Sequence, residues 1–465
     1  MRRISIIIAA LCSALALLVP AAAQASKTQT TTFDAPRDMK NPATRERAFA
    51  QLTSLGVRSL RVVLSWHDVA PAAGSRVRPN FDESDPNFYN WSVYDPIVLG
   101  AKQRGWNVLL TVSSPVPRWA TNGARDTLTR PRPSDFGQFM TAVGRHYGTR
   151  VNTWSIWNEP NQPQFLLPQF SAHGHKPLSP GIYRNLYLAG QRGLRAAGLG
   201  RVPLLIGETS PRGTSHVVAP LAFLRGMLCL NRTYHRTRKC PRIKASGYAH
   251  HAYTTGEGPG FRPPSRDDVT IGVLPRLTRA LDLAGRRGAI TRHLNISITE
   301  FGIESKPDPL RGVSLAKQSD FRSISEHIAY RNRRVAGFSQ YLLRDDPPVK
   351  GARGFARFGG FQTGLETASG KKKPSFNGFR LPLAATRSGS RVSLWGLVRP
   401  ATGPTRAVLQ FSSNGRTWRK LATVRTNARG YFTRKAALKS GRRWRLQWTS
   451  PSGTTFRGSA TQLRG

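Results

Sequence analysis

This chain is short of carboxylates, cysteine and the usual signatures of metal or nucleotide sites. Its 465 residues hold 24 aspartates and glutamates against 71 lysines and arginines, a formal charge of +47. Such an excess draws anions: acidic polysaccharides, teichoic acids, nucleic acid or anionic membrane. The arginines are scattered along the whole sequence, so a solvated basic surface is preferred here to a specific groove, and no specific nucleic acid is expected. There are three cysteines, too few for a tetrahedral zinc set without clustered histidines. No HExxH motif or carboxylate cluster suggests a metal. No glycine-rich turn follows the first strand-like segment, which excludes a doubly wound nucleotide-binding sheet. No solenoid repeat recurs. Neither a metal nor an organic cofactor is expected.

Apolar runs long enough to cross a bilayer are also missing, except at the start. There "MRRISIIIAALCSALALLVPAAAQAS" joins two arginines, an apolar run and Ala23-Gln24-Ala25, the small-x-small pattern preceding signal-peptidase cleavage. Residues 1–25 therefore read as a signal peptide, and the product as secreted or cell-surface and free of the membrane after cleavage. An uncleaved anchor is the alternative, because the run approaches the roughly 20 residues that span a bilayer. Arg2-Arg3 fits the twin-arginine signal poorly. Cys12 leaves with the signal, and Cys229 and Cys240 remain as a pair expected to form a disulfide in an oxidising compartment.

What is present is alternation. Short apolar runs at 31–35, 58–66, 106–114, 151–157, 202–208, 245–253, 294–302 and 335–343 read as eight strands. Between them lie amphipathic stretches such as "SDFGQFMTAVGRHYG" and "IYRNLYLAGQRGLRAAG", with apolar spacings of three and four and glycine at the far end. Eight such units predict an α/β fold, a (β/α)8 TIM barrel over 26–383. After a linker at 384–390 the period changes to two, in "RVSLWGLVRP" and "RRWRLQWTS", with Asn414-Gly415 as a hairpin turn. Residues 391–465 thus read as a small all-β sandwich. Its Trp395, Trp418, Trp444 and Trp448 fit a core better than a carbohydrate-binding face.

Catalytic mouths of parallel barrels lie at the carboxyl ends of the strands. Two glutamates end apolar strands there: Glu159 in "TWSIWNEP" after strand 4 and Glu300 in "ISITEFG" on strand 7. Paired carboxylates facing one bond are what glycoside hydrolysis uses, one as acid and one as nucleophile. An Asn-Glu-Pro at strand 4 with a second Glu at strand 7 resembles clan A of the retaining glycoside hydrolases. The likeness runs to about Leu383 and is closest to families five and thirty-nine, which include cellulases and xylosidases. The resemblance implies Glu159 as general acid and base, Glu300 as nucleophile, and Asn158 on the sugar 2-hydroxyl. It matches Arg61 on strand 2 to the arginine that keeps the nucleophile ionised, and Tyr253 in "HHAY" to the tyrosine that donates to it. His251 or its neighbour His250 would contact the sugar. Trp119 in "SSPVPRWA" and Trp66 in "SWHDVAP" would stack on it. The family's strand 8 tryptophan is missing from "FSQYLLRDD", so Gln340 or Tyr341 would stand in, with Asp345 or Asp346 nearby. Glu208 and Asp34, also at strand ends, read equally well as a third site carboxylate or a salt bridge. The expected protein is a monomeric glycosidase with a carbohydrate substrate and an anionic cell-wall polymer as a further partner. The competing reading is a non-catalytic carbohydrate-binding protein on an inactive barrel.

Overall fold

The computed structural model describes Ser26, residues 28–172 and residues 176–463. The expected signal peptide, with Cys12, lies outside the described residues. Among those described, no helix is long and apolar enough to cross a membrane.

Eight parallel strands close on themselves: β1 (Thr30–Asp34), β2 (Ser59–Ser65), β3 (Asn107–Ser113), β4 (Thr153–Ile156), β5 (Leu204–Thr209), β6 (Gly247–His251), β7 (Asn295–Glu300) and β8 (Val335–Tyr341). β8 pairs with β1 along its length, setting Tyr341 beside Asp34. Each run expected as a barrel strand overlaps one of these. The barrel is a TIM barrel in which helices cover the strands: α1 (Pro36–Lys40) and α2 (Pro42–Ser54) after β1, the short α3 (Trp66–Val69) and α4 (Asp95–Gln103) after β2, α5 (Pro133–Tyr147) after β3, α6 (Ser179–Ala196) after β4, α7 (Pro220–Met227) after β5, α8 (Pro275–Arg286) after β6, α9 (Leu315–Arg331) after β7 and α10 (Pro374–Arg380) after β8. Proline opens several of them because the first turn needs no amide donor and its fixed φ suits the helix. α5 and α6 approach so closely that a Cβ at Gly193 would fall 2.2 Å from the Gly137 carbonyl oxygen.

The remaining strands form two antiparallel sheets. β9 (Leu383–Ser388), β10 (Arg391–Leu397) and β13 (Tyr431–Ala437) make one; β11 (Arg406–Ser412), β12 (Arg419–Arg425), β14 (Arg443–Thr449), β15 (Thr455–Arg457) and β16 (Thr461–Gln462) make the other. The stretch expected as a linker, 384–390, is instead mostly strand. Its backbone pairs with β10 from Leu383 to Ser388, and Ala384 and Ala385 are buried. Ala385 joins the core between the sheets while Ala384 joins the layer against α9, so an apparently featureless segment is fixed on both faces. Asn414-Gly415 does lie between β11 and β12, where the Asn414 side chain accepts from the amides of Arg416 and Thr417.

Trp444 and Trp448 fill the space between the sheets, while Trp395 faces the barrel and stacks on His327 of α9 at 5.0 Å. The β region docks beneath the barrel. A Cβ on Gly56, which precedes β2 and has φ of +82°, would lie 2.7 Å from the Arg399 backbone, and Arg399 also pairs with Glu326 of α9. The opposite end, where the strands finish, is left open.

Candidate active site

Arg61 enters the barrel interior from the middle of β2 and organises what surrounds it. Its guanidinium, almost wholly buried, sends Nη1 to Asp34 Oδ2 at 2.6 Å and Glu300 Oε2 at 3.1 Å, and Nη2 to Glu208 Oε2 at 2.5 Å and Asn158 Oδ1 at 2.6 Å. One cation thus ties together the ends of β1, β4, β5 and β7. Thr111 on β3 completes the set, accepting from Arg61 Nε at 3.3 Å and donating to Glu208 Oε1 at 2.9 Å. A planar fork of five donors suits this task as an ammonium would not.

Glu159 and Glu300 meet over His251. Nδ1 of His251 lies 2.9 Å from Glu159 Oε1 and 3.5 Å from Glu300 Oε2, and Nε2 lies 3.5 Å from Glu208 Oε2. The two oxygens sharing Nδ1 are therefore separated by at most 6.4 Å, the sum of those distances, a bound that admits the retaining spacing of about 5–5.5 Å and falls short of the inverting one. Glu300 also accepts from the Tyr253 hydroxyl, on Oε1, at 2.8 Å. Both of its oxygens thus face donors.

The backbone is bent to aim these groups. Glu159 and Glu208 have φ of +38° and +46°, a region that costs a side-chain-bearing residue about 1–3 kcal/mol and recurs at functional sites. The Glu159 amide donates to the Glu208 carbonyl at 3.0 Å, and the Asn158 amide to Ser113 Oγ at 2.9 Å. Neighbouring strands therefore hold the turn after β4.

Burial and charge divide the carboxylates. Burial, reinforced by the Glu300 charge and opposed by His251 and Arg61, raises Glu159 above the ordinary carboxylate range. Burial would raise Glu208 too, but Arg61 and His251 hold it down at about 2. Burial outweighs Arg61 at Asp34, pushed up to about 6. For His251 burial opposes the charge, yet Glu300, Glu159 and Glu208 together raise it to about 10, an imidazolium at neutral pH. Burial and then the Glu300 charge push Tyr253 well above its usual value, so it remains a donor.

Asn158, Glu159, Glu300, Arg61, Tyr253 and His251 are thus brought together. His250 points away, its ring between Thr209 Oγ1 and the Val269 carbonyl. Three residues that the resemblance assigns to the mouth, Trp66, Trp119 and Gln340, lie elsewhere. Trp66 is wholly buried, stacked on Phe139 at 4.9 Å and edge-on to Trp119, which is itself buried and donates to the Pro71 carbonyl. Neither ring has a free face for a sugar, because the loops after β2 and β3 use them as their own core. Gln340 turns outward, accepting from Arg322 of α9 at 3.0 Å. Strand alternation gives the inward place to Tyr341, which meets Phe361 edge-on at 5.2 Å. Asp345 is buried against Lys373 and Asp346 accepts from the Phe361 amide, so both serve the loop after β8. Phe361 was not legible in the sequence. It lies in that long loop, beyond any spacing rule, yet joins Tyr253 and Tyr341 in a half-exposed aromatic wall.

In the segment that follows α7, Cys229 and Cys240 form the expected disulfide.

No family model matches the sequence, and no curated protein matches it. Solved structures do. A family 39 glycoside hydrolase from the gut symbiont Bacteroides cellulosilyticus WH2 aligns over 90% of this chain and 80% of its own, with a TM-score of 0.50 at 15% identity. A glucosidase from Croceicoccus marinus aligns over 90% and 94%, with a TM-score of 0.53 at 12% identity. A monomeric beta-xylosidase from Caulobacter crescentus CB15 aligns over 94% and 98%, with a TM-score of 0.50 at 14% identity. What is shared at such identities is the fold, and these three solved proteins are glycosidases.

Proposed function

We propose that this protein is a secreted glycosidase that cleaves O-glycosidic bonds of a polysaccharide or oligosaccharide with retention of configuration. The observation that carries the reading is the meeting of Glu159 and Glu300 over one His251 nitrogen. Glu159, raised by burial, has the proton to give to the leaving oxygen. Glu300, with Tyr253 and Arg61 on its two oxygens, is the nucleophile that attacks the anomeric carbon and forms the glycosyl-enzyme. Glu159, then ionised, takes a proton from the water that releases the sugar. Asn158, pinned by Arg61, presents its amide nitrogen to the 2-hydroxyl. Tyr341 and Phe361 offer the sugar an aromatic wall where the expected tryptophan is missing.

The test uses two variants. Glu159→Ala should slow a natural glycoside by about 100-fold or more but an aryl glycoside with a good leaving group far less, because that group needs little protonation. Equal losses on both would refute the acid assignment. Glu300→Gln should release no reducing ends from any glycan, and a 2-fluoro glycoside should label Glu300 in the wild type. Label on another residue would refute the nucleophile.

A further inference from the structure

From Leu383 to the end of the chain there are 17 lysines and arginines and no aspartate or glutamate. Many acids of the barrel sit in ion pairs; the β region has none of its own. Among the described residues only Arg399 there meets a carboxylate, that of Glu326.

These cations are not evenly spread. In the five-stranded sheet Leu409, Trp444, Leu446 and Trp448 point inward to the core, so strand alternation sends the residues between them outward. Across that outer face Arg425 lies directly opposite Arg406. A second row runs Lys420, Gln410, Arg445, and a third ends Gln447, Arg457. Like charges directly opposed on neighbouring strands are destabilising, and no acid relieves them. Arg445 stacks over Trp418 at 4.2 Å while donating to Gln410 Oε1 at 2.7 Å. Its own burial and the charge of Arg457 lower its pKa. The three-stranded sheet is covered on both sides, by this sheet and by α9, whereas nothing among the described residues covers the outer face.

We infer that the outer face of the β11–β12–β14–β15 sheet is a binding surface for a linear polysaccharide bearing carboxylates, independent of the barrel mouth. Arginine forks meet carboxylates two bonds at a time, Gln410 and Gln447 match sugar hydroxyls, and half-buried Trp418 lends ring surface to a pyranose. A lipid surface fits less well, since interfacial binding needs apolar side chains beside the cations. Among the described residues the large exposed apolar side chains are Val77, Phe88, Leu99, Leu310 and Val349, all on the barrel. Single-stranded nucleic acid fits less well too, for it stacks successive bases on several aromatics, and this face has one. Because the β region docks beneath the barrel, a polymer held here leaves the mouth free.

The test is affinity electrophoresis of the full chain through polygalacturonate, polyglutamate, neutral dextran and duplex DNA, with flotation on phosphatidylglycerol vesicles. The wild type should be retarded most by polygalacturonate and not by dextran. Arg406→Gln/Arg425→Gln/Arg445→Gln should weaken that retention about tenfold and flatten its salt dependence by about one unit of log–log slope per lost contact. Arg192→Gln/Arg195→Gln/Arg201→Gln, equal in charge but on and just beyond α6, should bind as the wild type does. Trp418→Ala should erase the margin of polygalacturonate over polyglutamate. Unchanged thermal unfolding and glycoside turnover show that each variant is folded. Equal weakening by the control triple would mean diffuse charge, and tighter binding to DNA or vesicles would mean another partner. Either result overturns the inference.

Discussion

Replacing His251 with Asn tests the electrostatics of the mouth most directly. The Asn amide can stand near the position of the imidazole Nδ1 and still donate to Glu159, so the exchange removes mainly the positive charge. That charge lies 2.9 Å from Glu159 Oε1 with no solvent at the imidazole. Two arguments bound its effect. A charge-assisted hydrogen bond exceeds a neutral one by about 1 kcal/mol. Coulomb's law at 4 Å and an effective dielectric of 20 gives about 4 kcal/mol. At 1.36 kcal/mol per pKa unit, the Glu159 acid should rise by about 1–3 units. The imidazolium favours the Glu159 anion, so its loss keeps Glu159 protonated to higher pH. The alkaline limb of kcat/KM on a natural glycoside should therefore move upward by that amount. Stability carries a second signature. His251 is raised from 6.5 to about 10 on folding, so its contribution is complete below pH 6.5 and lost as pH rises through 10. It amounts to about 5 kcal/mol by linkage. Urea unfolding of the wild type should show stability falling across that window, and His251→Asn should show a flatter curve. An alkaline limb that stays in place or moves down would refute either the imidazolium or Glu159 as the acid.

Arg61→Met removes the cation from three buried carboxylates and should cost about 3–5 kcal/mol at neutral pH, with a smaller loss near pH 5, where Asp34 can take a proton; a loss independent of pH in urea titrations would contradict the ion network. Trp66→Ala should cost about 3–5 kcal/mol by leaving a cavity with KM unchanged, whereas a raised KM in an otherwise stable variant would restore it as a sugar contact. Cys229→Ser/Cys240→Ser opens a loop of sequence separation 11 and should lower stability by about 3 kcal/mol through denatured-state entropy, read as a fall in Tm that wild-type protein reproduces under reductant.

The eight-fold alternation of apolar runs and amphipathic stretches was enough to determine a closed parallel barrel, because strand and helix periods are local properties of consecutive residues. The same locality placed Glu159 and Glu300 at strand ends, whereas Asn158, Arg61 and Tyr253 came into view through the resemblance to clan A of the glycoside hydrolases. Which face a residue takes once its strand is paired is not local. His251 enters the mouth while His250 turns to Val269, and Tyr341 enters while Gln340 turns to Arg322, because a one-residue change in phase reverses a side chain. Trp66 and Trp119 carry the same sequence signal as a sugar platform, and only the packing of Phe139 against Trp66 makes them core. The fate of 384–390 was likewise hidden, since short alanine-rich segments become strands only when a partner such as β10 is present to pair them. Tertiary structure alone decided that Arg61 is shared among Asp34, Glu208 and Glu300, and so which carboxylate is held low and which is raised: those shifts depend on distances between residues far apart in the chain.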